Sequence, residues 1–121
     1  PMHVGREEDK GGNDIKMKWF GDNTNLHRVW DSDIIDSNQM SYTELSINLP
    51  RLTKTEIKTI QSAPLLTWVS DSHELAKGIY ENTPADSRLS YSYREQYMTL
   101  IRSQIQKGGL RLAAVLNDIF N

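Results

Sequence analysis

At 121 residues the chain is about one domain's worth of protein, too short for an enzyme cleft between two lobes, and its 37% hydrophobic content limits it to a modest core. Fourteen Lys and Arg against sixteen Asp and Glu give a net charge of -2, which excludes a general basic surface for duplex nucleic acid or anionic membrane while leaving room for a local one. With no cysteine there is neither a disulfide nor a thiolate zinc site, so any metal must be held by histidine and carboxylate. No apolar run reaches the roughly 20 residues of a membrane span, and the first ten residues are charged where a signal peptide needs an apolar core. The chain starts at Pro1 without methionine and reads as a processed or truncated product.

In chain order, the first third is rich in Gly and Asn around the run Ile15-Lys16-Met17-Lys18-Trp19-Phe20, whose alternation predicts a strand, paired in a hairpin with the region of Val4. From Asn25, a capping residue, Leu26, Val29, Trp30 and Ile34 recur at helical spacing and predict a helix of roughly three turns. Three capping boxes follow, Ser41 with Glu44, Thr53 with Glu56 and Ser92 with Glu95, each expected to open a helix by satisfying orphan backbone amides. The segment from Pro64 to Glu81 carries Leu65, Trp68, Val69, Leu75, Ala76, Ile79 and Tyr80 on one stripe. The last stretch is expected to form two helices bent at Gly108-Gly109, with Tyr93, Tyr97, Leu100, Ile101 and Ile105 before the glycines and Leu112, Val115, Leu116 and Ile119 after them. The fold class is mainly α with a short β-hairpin near the start.

Among residues able to do chemistry, His27 and Asp31 stand four apart on the first helix, so both leave one face and can grip one cation; the same spacing also serves a surface ion pair. His3 precedes a glycine-rich turn and a strand, and a hairpin returning toward Asn25 can bring its imidazole beside the helix. Two imidazoles and one carboxylate suit a zinc ion with positions open to water or substrate. Asn13, after two glycines, reads as a left-handed turn residue or as a brace for the metal loop. Lys16 and Lys18 leave one strand face, which is either solvated or set against a phosphate backbone. His73 reads as a surface residue, and Trp19, Trp30 and Trp68 as core.

The segments Pro1-Met2-His3-Val4-Gly5, Gly11-Gly12-Asn13, Trp19-Phe20, Asn25-Leu26-His27-Arg28-Val29-Trp30-Asp31, Trp68 through Tyr80, and Gly109-Leu110-Arg111-Leu112-Ala113-Ala114-Val115-Leu116-Asn117 resemble the second half of the zinc-dependent single-strand-specific nucleases. That family includes the fungal S-one and P-one enzymes and is related to zinc phospholipase C. The resemblance covers almost the whole chain. It implies a phospholipase C / P-one nuclease-like helical fold in which this chain is the carboxy-terminal part of one zinc nuclease domain, residues 1–24 forming metal loop and hairpin and 25–121 the helices.

The resemblance further implies endonucleolytic hydrolysis of phosphodiesters in single-stranded DNA and RNA, with removal of phosphate from 3'-nucleotides, by three zinc ions. His3, His27 and Asp31 match the protein ligands of one of them. The ligands of the water-activating zinc pair belong upstream of Pro1, so no catalytic residue is assigned here, at most one zinc is expected, and the fragment alone is expected to be inactive. Asp33 falls where the fungal enzymes tend to carry an Asn near the substrate, which makes it and Asn13 candidate substrate contacts, with a plain helix-surface Asp as the alternative. Single-stranded nucleic acid or nucleotides are the expected ligands, without membrane, and secretion or periplasmic location is implied by the resemblance alone. The expected protein partner is the amino-terminal half as a complementary fragment, or a second copy, covering stripes around Trp68, Leu75 and Ile79 and around Tyr97, Ile101 and Leu112. Phospholipase C is the second reading, disfavoured because that family typically places Glu where Asp31 stands; a non-catalytic helical fragment with one residual zinc is the third.

Overall fold

A computed structural model of the chain describes residues 5–120. It is mainly helical, with a small sheet near the start. Strand β1 (Lys16–Trp19) pairs antiparallel with β2 (Asp22–Asn25) through the two-residue turn Phe20-Gly21. Both turn residues have positive φ, 49° and 95°, as a hairpin turn matching the right-handed twist of its strands requires. A benzyl side chain rarely adopts that conformation. Phe20 is held in it by edge-on ring contacts to Trp19 at 5.0 Å and Tyr91 at 4.6 Å and by its N–H, which donates to the Leu89 carbonyl. The sequence reading placed the hairpin partner around Val4, which lies outside the described residues. Both edges of β1 are instead taken, since β3 (Arg88–Leu89) adds in parallel on the far side to give the order β2-β1-β3.

Asn25 closes β2 and caps the first helix, its side chain accepting the Arg28 N–H. Helix α1 (residues 26–36) is α-helical over Leu26–Arg28 and Ile34–Asp36 but widens to a π-helix over Val29–Asp33. The expected apolar stripe is present, with Leu26, Val29 and Ile34 fully buried, each burial contributing roughly 1.5–3 kcal/mol. Helices α2 (Tyr42–Ile47) and α3 (Lys54–Ser62) both start on the expected capping boxes. Hydrogen bonds to the caps hold the Glu44 and Glu56 carboxyls below the usual carboxylate range. Helix α4 (Leu65–Asn82) follows, with Pro64 at its cap rather than in its first turn.

Helix α5 (Tyr91–Phe120) departs from expectation twice. It begins at Tyr91, with the Ser90 carbonyl accepting from Arg94, so Ser92 is already inside the helix and opens nothing. It also runs unbroken through Gly108 and Gly109, whose cost of about 1 kcal/mol each relative to alanine does not outweigh the helical turns on either side.

The core lies where the sheet, α1, the second half of α4 and the first half of α5 meet, with Met17, Leu26, Val29, Ile34, Ile79, Leu89, Tyr93 and Ile101 buried together. A polar knot crosses it: Trp30 donates from Nε1 to the Tyr93 hydroxyl at 3.0 Å, and that hydroxyl lies 2.8 Å from the hydroxyl of buried Thr83. Burial pushes the Tyr93 phenol above its ordinary range. Tyr93→Phe leaves the Trp30 N–H and the Thr83 hydroxyl without their shared partner and is expected to cost about 1–3 kcal/mol, measured by chemical denaturation. Trp19 and Trp30 pack against this core as expected. Trp68 does not: it is half-buried and lines an open groove beneath the Arg111 guanidinium, away from the core cluster.

Candidate metal centre

The hairpin and α1 meet at the loop of residues 5–14, and the loop's carbonyls set the position of His27. Gly11 and Gly12 take φ of 66° and 92°, so their carbonyls turn inward toward the start of α1. The Gly12 carbonyl accepts the backbone N–H of His27, and the Gly11 carbonyl lies 3.1 Å from His27 Nδ1. A Cβ at position 12 would sit 3.2 Å from the His27 nitrogen, which explains a glycine there. Asn13 donates from its side chain to the Lys10 carbonyl and has ordinary φ. It braces the turn but is not the left-handed residue expected there; the left-handed positions of this turn are Lys10, Gly11 and Gly12.

A carbonyl only accepts, so the hydrogen bond to Gly11 puts a proton on Nδ1, and Nε2 faces the Asp31 carboxylate, itself an acceptor, 2.8 Å away across a second proton or a shared cation. The π-helical turn contributes to this closeness. In a regular α-helix residues four apart are offset by about 40°, and widening the turn over Val29–Asp33 brings Asp31 more directly over His27. The imidazole is mostly covered, whereas Asp31 is open to solvent at the rim of a cleft of about 180 Å³ lined by Trp30, Leu75, Ile79 and Leu100. Imidazole Nε2 and carboxylate held face to face, with the other ring nitrogen fixed by a carbonyl, are the donor set and tautomer that suit zinc. His3, the third expected ligand, lies outside the described residues, and among those described no group of three His, Cys, Asp or Glu comes together around a metal position.

Asp33 is brought near but differently engaged. Its two carboxylate oxygens accept from the Thr24 hydroxyl at 2.8 Å and Arg28 Nε at 3.2 Å, and its side chain is only 14% exposed, so it ties β2 to α1 rather than standing free on the helix surface. His73, expected at the surface, is half-buried, with Gly5 close against its ring.

One residue that sequence reasoning passed over supports the centre. Asp9 accepts the Gly12 N–H at 2.8 Å and the Tyr80 hydroxyl at 3.1 Å, which pins the loop to α4. The signal was an Asp three residues before a glycine, the pattern of a side chain closing its own turn. Burial, then the hydrogen bond and charge of Asp9, push the Tyr80 phenol up to about 12. Because the raised value favours the protonated phenol in the folded chain, this contribution to stability is intact below about pH 10 and is lost as pH rises through about 12. Asp9→Ala is expected to bring the Tyr80 titration down toward 10, read by ultraviolet difference spectroscopy, and to weaken metal retention by about 10–100-fold by loosening the loop that orients His27.

The S1/P1 Nuclease family profile matches residues 1–121, and the chain belongs to that family. It is similar to three curated proteins of Arabidopsis thaliana: Endonuclease 3 (34% identical, all of this chain against 47% of that protein), Endonuclease 4 (33%, all against 46%) and Endonuclease 5 (31%, all against 46%). The chain spans about half the length of these relatives.

Proposed function

We propose that this chain is the carboxy-terminal part of a zinc-dependent nuclease domain that hydrolyses phosphodiesters of single-stranded DNA and RNA and removes phosphate from 3'-nucleotides. The observation that carries the reading is the His27–Asp31 pair with its tautomer fixed by Gly11, in a chain belonging to a nuclease family. His27 Nε2 and Asp31 would hold one zinc, with His3 as third ligand, while the loop pinned by Asp9 keeps the imidazole aimed. Zinc, when bound, supplies positive charge against phosphate oxygens and to developing negative charge. Asn13, next in sequence to the Gly12 that meets His27, and Asp33, two residues past Asp31, are proposed as substrate neighbours, Asp33 by fixing β2 beside α1. The family resemblance also supports a secreted or periplasmic setting; no helix of the described residues is long and apolar enough to cross a membrane.

The domain is completed by an amino-terminal half. The faces left open support this and follow the expected stripes only in part: Ile79 and Ile101 are buried within this chain, whereas Leu112, as expected, and Leu65, Leu66, Val115, Leu116, Ile119 and Phe120 are exposed. Several converge on an apolar groove of about 420 Å³ between the start of α4 and the end of α5. An apolar surface of this kind marks an interface. In the complete protein, amides around Leu112 and Val115 are expected to exchange hydrogen far more slowly than in the isolated chain; equal exchange would show that nothing covers the groove.

Hydrolysis of a single-stranded oligonucleotide by the complete protein, abolished by chelator and restored by added zinc, tests the assignment. Release of diacylglycerol from phosphatidylcholine without cleavage of nucleic acid would place the protein with the phospholipases instead, and zinc binding with neither activity would leave a non-catalytic fragment.

A further inference from the structure

Side chains alternate across a strand, so Lys16 and Lys18 leave the face of β1 opposite to buried Met17. The register sets Asn25 against Lys16 and Asn23 against Lys18 on one side, and Arg88 of β3 against Lys18 on the other. Directly opposed residues share a face, so three cations and two amides form one surface, with Arg88 delivered by a strand remote in sequence. This face is concave, a cleft of about 490 Å³ whose lining includes Lys16, Lys18, Asn23, Thr24, Asp86 and Arg88.

The charge there is largely uncompensated. Among the described residues neither Lys18 nor Arg88 takes part in an ion pair, Lys16 donates to the neutral Asn13 carbonyl at 2.6 Å, and Asp86 is the one carboxylate in the lining. In a chain of net charge -2 this is a local concentration of positive charge. It is also continuous with the metal centre, because Asn25, opposite Lys16, caps the helix that carries His27.

We propose that this sheet face binds the sugar-phosphate backbone of the single-stranded substrate on one side of the metal centre, Lys18 and Arg88 meeting phosphates while Asn23 donates to phosphate or sugar oxygens. The proposal rests on the nuclease reading for its ligand, and it assigns to Lys18 and Arg88 a part in holding long substrates but none in the hydrolytic step. Backbone contacts of this kind are electrostatic and independent of base sequence.

The test uses the complete protein and the double variant Lys18→Ala, Arg88→Ala, both residues lying on the sheet surface away from the buried core. In chelator, where no cleavage interferes, a fluorescent 20-nucleotide single strand is titrated by anisotropy across a salt series. The variant is expected to bind about tenfold more weakly at low salt, with the slope of log affinity against log salt shallower by about 1.4, or 0.7 for each phosphate contact removed. Lys18→Arg with Arg88→Lys should restore both. With zinc, the variant should show a raised KM for the 20-mer and unchanged hydrolysis of a dinucleotide. Unchanged affinity and salt slope would overturn the proposal, as would an equal loss on the dinucleotide. Failure of the wild type to cleave any strand, with anisotropy still separating wild type from variant, would count against the nuclease reading and leave this binding face supported.

Discussion

The His27→Ala variant of the complete protein is expected to lose zinc from the site that its imidazole supplies, and with it a factor on the order of 10²–10³ in kcat for single-stranded substrate, the loss typical of removing one group that stabilises developing charge. His27 is held by its backbone N–H on Gly12 and, through its ring, by Nδ1 on Gly11 and Nε2 on Asp31. Alanine keeps the first and removes the two that orient and offer the donor nitrogen. Asp31→Asn should produce a smaller loss, because an amide retains an oxygen but not the charge. Protons compete with the metal for both side chains, so zinc retention by the wild type should fall on acidification and that of His27→Ala should be low throughout. Metal analysis after gel filtration, alongside kcat and KM, checks this; unchanged stoichiometry and turnover in His27→Ala would remove the residue from the centre.

Ile34→Ala is expected to lower the stability of the complete protein by about 2–5 kcal/mol while leaving zinc stoichiometry intact. Ile34 is fully buried at the far end of α1, three residues beyond Asp31, in the cluster with Val29, Leu89 and Tyr93. Truncation removes the transfer free energy of its methyl and methylene groups and leaves a cavity that a close-packed interior refills only in part. At roughly 2–4 °C per kcal/mol for a protein of 150–250 residues, the midpoint of thermal unfolding should fall by about 10 °C. A shift under about 2 °C would show that this helix is not anchored by the core described.

What the sequence revealed and what it hid divide along the range of the interactions. The Ser41 and Thr53 capping boxes close within one turn, so three residues suffice to read them, and both helices begin where those boxes stand. The apolar stripe of α1 and the i, i+4 placement of His27 and Asp31 are equally local. The π-helical widening at Val29–Asp33 left no periodic signature, because five residues in a wider turn barely displace an apolar pattern.

Long-range pairing was invisible for the same reason. Arg88–Leu89 is too short to alternate, and only its register against Lys18 and Trp19 makes it a strand. The polar run Asp22–Asn25 resembles a loop in composition and became the hairpin partner through the positive φ of Phe20 and Gly21. In the candidate metal centre, the histidine and aspartate were legible as residue types at a helical spacing. The Gly11 carbonyl that selects the tautomer carries no side chain to read, and Asp9 reaches Tyr80 across the fold.

The central claim is that His27 and Asp31 meet because they share a zinc ion in the working protein. A crystal structure of the complete, zinc-loaded protein, with the metal located by anomalous scattering at the zinc edge, tests it most directly. The account predicts a zinc ion about 2.0–2.1 Å from His27 Nε2 and about 2.0–2.2 Å from an Asp31 oxygen, with His3 coordinated and Nδ1 still on the Gly11 carbonyl. A zinc-saturated protein in which His27 and Asp31 remain in direct contact, with every metal ion bound elsewhere, would contradict it.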